Sequence, residues 1–219
     1  MIKLYDAPRF AQRAAPGKLP TIEDGDIVMR EFLGVTYLLL PLLGGGIFHG
    51  LCMKYDWFAF LRRPIDGGWT FRGRPLFGAN KTYRGPIGLG LGAGLVLGAQ
   101  ATILHRAPQL RSLELFDYGL VNGWMLGFLV GAVAMLAELP NSFMKRQLGI
   151  ASGQAGRGIL RVVFYVTDQV DVLLGAWVVF ALVVDVRFSW VLVSLLLVLV
   201  VHQILTTVTY GLGMRVSSR

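Results

Sequence analysis

Residues 138–171 read ELPNSFMKRQLGIASGQAGRGILRVVFYVTDQVD, and this stretch decides how the chain must fold. Its second half is apolar enough to enter a bilayer, yet it contains Asp168 and Asp171. A carboxylate in such a segment costs roughly 2.5 to 3.5 kcal/mol on insertion scales, so it marks a functional site by default. On a helix, a spacing of three residues places both side chains on one face, where they can share a divalent cation.

Basic side chains surround the two aspartates in the sequence. They are Lys145, Arg146, Arg157 and Arg161. Lys and Arg are the residues that hold phosphate groups in proteins, as a point charge and as a bidentate fork respectively. Carboxylates that can bind a metal and a basic loop beside them together indicate phosphoryl chemistry at a membrane surface.

The composition is that of a membrane protein. Of 219 residues, 54% are hydrophobic and only 16% are charged, and the mean hydropathy is +0.59. A soluble domain of this size carries more charge. The net charge of +8 is typical of basic cytoplasmic loops beside anionic lipid. Because no recognition motif accompanies this charge, we expect no nucleic-acid partner.

The hydropathy pattern predicts an all-α integral membrane protein with about five transmembrane helices and basic cytoplasmic loops. Each span is close to the ~20 residues that a helix needs to cross the hydrocarbon. The spans are predicted at about 32–53, 86–104, 118–137, 162–184 and 189–210. The fourth span carries the two aspartates close to its start. Residues 1–31, with mixed charges and three prolines, are expected to form an extramembrane arm, and 32–219 a single transmembrane catalytic domain.

The orientation follows from the positive-inside rule. Most of the 21 Lys and Arg residues fall in 54–85, in 138–161 and in the C-terminal tail, which share one side of the membrane in this topology. That side is predicted to be cytoplasmic. We therefore expect an integral protein of the cytoplasmic membrane whose active site faces the cytoplasm, where nucleotides are available.

Glycines predict how two of the spans pack. The second span has Gly88, Gly90, Gly92, Gly94 and Gly98, and the third has Gly119, Gly123, Gly127 and Gly131 at an unbroken spacing of four. Small residues at that spacing let helix backbones approach closely. We expect the second and third spans to pack tightly together, and exposed glycine faces would also permit a homodimer.

The loop at 54–85 ends in GANKTYRG, residues 78–85. This segment combines two cations and a hydroxyl, from Lys81, Thr82 and Arg84, with flexible glycines at a membrane edge. Such a combination is suited to phosphate binding. A simple basic loop beside a membrane would have a similar sequence. Aromatic residues and two arginines within 57–63 are typical of an interfacial anchor.

The motif SFMKR at 142–146, followed by DQVD at 168–171, resembles the membrane cytidylyltransferase superfamily that contains phosphatidate cytidylyltransferase. With KTYRG at 81–85, the chain is more closely similar to the CDP-archaeol synthase family. The resemblance runs from about residue 35 to the C-terminus. A Gly-Asp pair is usual in the family where Ala137-Glu138 stands here. The resemblance to this family implies a magnesium-dependent enzyme that joins CTP to a lipid phosphate and releases pyrophosphate.

The resemblance also implies a role for each matched residue. Asp168 and Asp171 would hold Mg²⁺, with Glu138 as a third ligand, and Ser142 would donate a hydrogen bond. The catalytic set is then Asp168, Asp171, Lys145 and Ser142, and the substrate-binding set is Lys81, Thr82, Arg84, Asn141, Arg146 and Arg157. Lys145 and Arg146 would contact the nucleotide phosphates, and Lys81 and Arg84 the second phosphate. Exchanging the two basic pairs is equally consistent with the sequence.

Three other classes of protein share some of these features. A small proton- or cation-coupled transporter could also use paired intramembrane acids, although it would place them near the bilayer midplane, often in repeated halves. A CDP-alcohol phosphotransferase would need an aspartate-rich motif that this sequence lacks. A structural membrane protein would explain the glycines but not the acids. The sequence does not distinguish an ether-linked isoprenoid acceptor from an ester-linked acyl one, nor does it explain the choice of cytosine.

Overall fold

The computed structural model describes residues 22–118, 121–154 and 156–211, and most of them are helical. The helices are α1 Ile22–Lys54, α2 Arg84–Arg106, α3 Gly123–Leu136, α4 Leu139–Gln147, α5 Ile159–Phe180 and α6 Phe188–Gly211. Two short strands, β1 Thr70–Phe71 and β2 Arg74–Pro75, form an antiparallel hairpin between α1 and α2. Short 3₁₀ turns lie at Ala59–Leu61 and Pro108–Leu113.

Helix lengths agree with the predicted membrane spans. Four segments are long and apolar enough to cross a bilayer, namely Val28–Lys54, Arg84–Arg106, Gly123–Gln147 and Ile159–Phe180. The fifth predicted span corresponds to α6, whose described side chains, up to Val200, are also apolar. The predicted fold class, an all-α membrane protein with about five spans, is confirmed.

Several helix ends differ from the predicted boundaries. Helix α1 begins at Ile22 and continues through Pro41 without a break, so the helical part starts inside the predicted arm; residues 1–21 lie outside the described part of the chain. Helix α3 ends at Leu136, and Pro140 lies in the first turn of α4. Proline is tolerated there because the first-turn amides have no intrahelical partner.

Helix α2 is packed between α1 and α3, and glycines make both contacts close. A Cβ atom built on Gly127 would lie 2.5 Å from the carbonyl oxygen of Ala93, and one on Gly131 would lie 2.5 Å from that of Leu89. On the other face of α2, a Cβ on Gly92 would lie 2.8 Å from Cα of Gly45. The predicted tight packing of the second and third spans is confirmed. These glycines are used inside the chain, so a homodimer would need another surface.

This packing predicts a sharp difference between two glycine substitutions. Gly127→Ala places its methyl group against the α2 backbone, which cannot yield as a side chain can, so we expect a loss of about 1–3 kcal/mol in stability. Gly46→Ala is the matched control, because a Cβ there meets nothing within 4 Å. Thermal unfolding of the purified protein in detergent should show a lower Tm for Gly127→Ala alone. Equal Tm values for both variants would contradict the packing.

Helices α5 and α6 complete the bundle. Gly175 brings α5 against α3, where its Cβ would lie 2.8 Å from Cα of Ala134. Trp177 donates its indole N–H to Ser194 Oγ at 2.9 Å, which joins α5 to α6. At the start of α6, Arg187 forms an ion pair with Glu31 of α1. This contact lies at the end of the bundle opposite the predicted site.

Candidate active site

Helix α5 carries Asp168 and Asp171 as the tenth and thirteenth of its 22 residues. At 1.5 Å per residue they lie about 14 and 18 Å along the helix from its first residue. The prediction that both aspartates lie close to the start of the span was wrong. The helix begins at Ile159, directly after Gly158, whose φ is positive (56°), and this is three residues earlier than predicted. Depth along the helix therefore does not argue against a transporter.

Asp168 is held by two side chains from α4. Lys145 Nζ lies 2.6 Å from Oδ1 and 2.7 Å from Oδ2, and Asn141 Nδ2 donates to Oδ1 at 2.7 Å. Asn141 and Lys145 are four residues apart, so they project from the same face of α4. The Lys145 side chain is only 15% exposed, whereas that of Asp168 is 45% exposed. The carboxylate therefore remains open to a further ligand.

Asp171 lies one turn along α5 and interacts electrostatically with Asp168 and Glu138. Its Oδ2 atom is buried and has no hydrogen-bond partner within the described ranges. A buried carboxylate oxygen without a partner is costly, and two adjacent carboxylates are a donor set that Mg²⁺ accepts. In the described part of the chain no three His, Cys, Asp or Glu residues form a metal-binding group. Mg²⁺ commonly uses one or two carboxylates and completes its shell with phosphates and water, so Asp168 and Asp171 fit it.

Glu138 sits at the junction of α3 and α4, where it forms an ion pair with Lys81 from the loop before α2. Both side chains are largely shielded, at 20% and 26% exposure respectively. The loop before α2 thus contacts the start of α4, where the predicted phosphate-binding Lys81 lies beside Glu138, a predicted metal ligand. The role of Glu138 as a third ligand stays a prediction.

Two predicted arginines are buried away from this group. Arg84 donates to Asp56 Oδ1 at 2.8 Å and contacts Met53 Sδ at 2.9 Å, at the end of α1. Arg146 donates to Ser152 Oγ at 3.1 Å, and its Nε has no partner among the residues described. The sequence alone does not identify Asp56 and Ser152 as the partners of these arginines, because each pairing depends on how a loop folds back.

The remaining predicted residues differ in how far they are buried. Ser142 is buried on α4, Thr82 is half-buried at a backbone bridge with Pro64, and Arg157 is exposed on the loop before α5. The structure thus brings together Lys81, Glu138, Asn141, Lys145, Asp168 and Asp171. These six side chains come from three separate segments of the chain.

Asp66 organises the loop that carries Lys81. Its Oδ2 accepts hydrogen bonds from the backbone N–H groups of Phe77 and Gly78, at 3.0 and 3.1 Å, and its Oδ1 accepts one from Gly68 at 3.0 Å. Burial disfavours the charged carboxylate, but these donors outweigh burial and hold the pKa of Asp66 below its ordinary value of 3.8. Asp followed by Gly-Gly is a turn signal that the sequence offered.

This pKa predicts an acid-sensitive loop. A carboxylate with a lowered folded-state pKa stabilises the fold fully above its ordinary pKa and loses that effect as the pH falls through the folded value. We expect pepsin to cut wild-type protein near Phe71 and Phe77 only below pH 3.8. Asp66→Asn has one acceptor oxygen where Asp66 uses two, so it loses a hydrogen bond as well as the charge. This variant should be cut already at pH 5 (~1 unit above that value). Equal resistance of both proteins at pH 5 would contradict the role of Asp66.

The family model described as CarS-like, CDP-archaeol synthase, matches residues 33–217. The chain belongs to the CDP-archaeol synthase family. The match includes every residue of the site, from Lys81 to Asp171. Because members of the CDP-archaeol synthase family are synthases, the chain is an enzyme and the transporter is not favoured.

Individual CDP-archaeol synthases are similar to this chain in sequence. The CDP-archaeol synthase of Methanococcoides burtonii is 31% identical over 167 residues, which cover 70% of this chain and 88% of that protein. That of Pyrobaculum islandicum is 28% identical over 156 residues, covering 71% and 81%. A solved structure described as "Structural insight into an intramembrane enzyme for archaeal membrane lipids biosynthesis" shares 25% identity, covers 76% of this chain and 88% of that one, and has a TM-score of 0.47.

Proposed function

We propose that this protein transfers the cytidylyl group of CTP to an archaeol-type ether lipid phosphate, giving a CDP-activated lipid and pyrophosphate for phospholipid synthesis. Family membership supports a CTP-dependent lipid cytidylyltransferase. The main structural support for placing this reaction at the described site is a pair of ion pairs: Lys145 with Asp168, and Lys81 with Glu138. Asp171 interacts with both carboxylates. Two anionic substrates meet in this reaction, and two lysines are present to receive them.

The reaction needs little covalent chemistry from the protein. An oxygen of the lipid phosphate attacks the α phosphorus of CTP, the new P–O bond forms in line, and the bond to the bridging oxygen breaks as pyrophosphate leaves. A phosphate monoester is already anionic, so no strong base is required. The contribution of the protein is positioning and charge stabilisation.

The charged pairs suggest how the site receives substrate. Lys145 is assigned to the nucleotide phosphates, and Lys81 to the lipid phosphate. A lysine that turns from its carboxylate to a phosphate keeps a charge-assisted hydrogen bond throughout. Asp168 and Asp171 are then free to hold Mg²⁺, which would supply neutralisation of the triphosphate charge when bound there. Asn141 keeps Asp168 oriented through the 2.7 Å hydrogen bond.

The orientation proposed for the protein follows the positive-inside rule. The site lies between the loop before α2, α4 and the middle of α5, and the two loops beside it belong to the side that holds most of the Lys and Arg residues. We place this side in the cytoplasm, with the protein in the cytoplasmic membrane.

Purified protein in detergent, given magnesium, labelled CTP and a panel of lipid phosphates, tests the proposal. We expect a labelled CDP-lipid and pyrophosphate with an unsaturated archaeal-type ether lipid phosphate. A clear preference for phosphatidate would keep the reaction and replace the acceptor. No product with any acceptor, together with no CTP binding, would overturn the proposed function.

Metal removal provides a separate prediction. Chelation with EDTA is expected to stop CDP-lipid formation, and added Mg²⁺ to restore it, because the two carboxylates repel the triphosphate unless a cation lies between them. The measurement is the initial rate with and without the chelator, at fixed ionic strength. Unchanged turnover in excess EDTA would rule out the metal assignment.

A further inference from the structure

Residues 64–83, which we call the clamp loop, contact both ends of α4. At the start of α4, Lys81 pairs with Glu138. At its end, the Arg74 guanidinium donates to the carbonyl oxygen of Gln147. Between these, the rings of Phe71 and Phe143 lie 5.9 Å apart. One loop therefore holds the whole length of the helix that carries Asn141 and Lys145.

The β hairpin explains why two of these contacts come from neighbouring positions. Phe71 and Arg74 are direct cross-strand partners, joined by a two-residue turn in which Arg72 and Gly73 both have positive φ, 53° and 75°. Positive φ at both central positions is the type I′ turn, whose twist suits a tight hairpin. The hairpin thus presents an aromatic ring and a guanidinium to α4 side by side.

The contact at the end of α4 is reciprocal. The last carbonyl groups of a helix have no intrahelical partner, and a basic side chain there satisfies one of them and complements the helix dipole. Arg74 does this for Gln147, and Gln147 Nε2 lies 3.4 Å from the carbonyl oxygen of Pro75 in return. The loop is also pressed against the segment after α4, since a Cβ on Gly78 would lie 2.2 Å from Ser152 Oγ.

The hairpin and α5 contact opposite faces of α4. Asn141 and Lys145 face Asp168 on α5. Phe143 and Gln147, each two residues further on, are rotated by about 200° and meet the hairpin. A nine-residue helix has little stability of its own, so these two contacts help to fix its orientation.

We propose that Arg74 and Phe71 are positioning residues that press α4 against α5, so that α4 keeps its place beside Asp168 when Lys145 and Lys81 turn from their carboxylates to phosphates. This inference rests on the proposed function. Lys81 cannot hold α4 and bind substrate at the same time. The hairpin contacts involve no residue assigned to substrate, so they can remain in place when Lys81 leaves Glu138 for a phosphate.

The test compares Arg74→Ala and Phe71→Ala with Arg63→Ala, an exposed arginine of the preceding segment. Misalignment of reacting groups by about 1 Å can lower a rate by up to 10²-fold. We expect kcat to fall about tenfold in the two hairpin variants, with KM for CTP changed less than about twofold. Arg74→Lys should recover part of the loss, and Arg63→Ala should behave as wild type.

Hydrogen–deuterium exchange of α4 amides gives a readout that does not depend on turnover. Exchange in α4 should rise in Arg74→Ala and Phe71→Ala but not in Arg63→Ala, with α2 and α3 unchanged. Exchange equal to wild type, or a kcat equal to that of Arg63→Ala, would overturn the clamp. If wild-type protein made no CDP-lipid, the proposed function would fail, and the exchange result would still decide the clamp. If Phe71→Ala did not fold, Phe71→Leu would replace it.

Discussion

With Asp168 replaced by Asn, the purified protein is expected to lose CDP-lipid synthesis by about 10²–10³-fold in kcat. The substitution keeps the shape of the side chain and removes its charge. Lys145, 15% exposed, then has no carboxylate to orient it, and the pair with Asp171 can no longer balance a divalent cation. The measurement is the initial rate of labelled product formation at saturating CTP, lipid phosphate and magnesium.

Asp171→Asn is expected to show a loss of the same order, because its Oδ2, which has no hydrogen-bond partner among the described residues, is the other carboxylate oxygen assigned to the cation. Asp185→Asn is the matched control, since Asp185 is exposed between α5 and α6 at the far end of the bundle. Full activity of both α5 variants at limiting magnesium would show that the metal assignment is wrong.

Lys145→Met should have the second largest effect, a fall in kcat of about 10²-fold. Methionine keeps much of the length and apolar stem of the side chain, including its packing beside Phe164, over whose ring the ammonium lies at 5.3 Å. Only the charge is removed. Loss of an interaction that strengthens as pyrophosphate departs lowers kcat and kcat/KM together. Steady-state rates over a range of CTP concentrations separate these terms.

Lys54→Met is the control for Lys145, because Lys54 is exposed at the end of α1. Its replacement should leave both kinetic constants unchanged. If Lys145→Met raised only the KM for the lipid phosphate, with the KM for CTP unaffected, the two lysines would have exchanged roles. A kcat equal to wild type would remove Lys145 from the catalytic set.

The membrane spans could be predicted from the sequence because hydropathy over about 20 residues is a strong, local signal. The close contact of α2 and α3 was equally visible, since Gly127 and Gly131 repeat at the helical spacing. The two aspartates stood out because a charge is rare in such a segment. Each of these features is decided by residues near one another in the chain.

Pairings across the chain could not be predicted in this way. The Lys81–Glu138 and Arg84–Asp56 contacts depend on how the loop before α2 folds, and its two-residue strands are too short to show alternation. The depth of Asp168 along α5 was misjudged because an exposed, glycine-rich approach hides where the helix begins. Gly158, whose φ is positive in the structure, lies directly before that boundary, but the sequence does not distinguish it from the neighbouring Gly153 and Gly156.

The pairing of Lys145 with Asp168 and of Lys81 with Glu138 has a thermodynamic consequence. Each ammonium is the counterion of a carboxylate in this structure, and a phosphate that attracts the ammonium leaves that carboxylate without its counterion beside a second anion. Nucleotide and divalent cation should therefore bind with positive cooperativity. Linkage requires that magnesium tighten CTP by the same factor by which CTP tightens magnesium, so an apparent Kd for either ligand has meaning only at a stated concentration of the other.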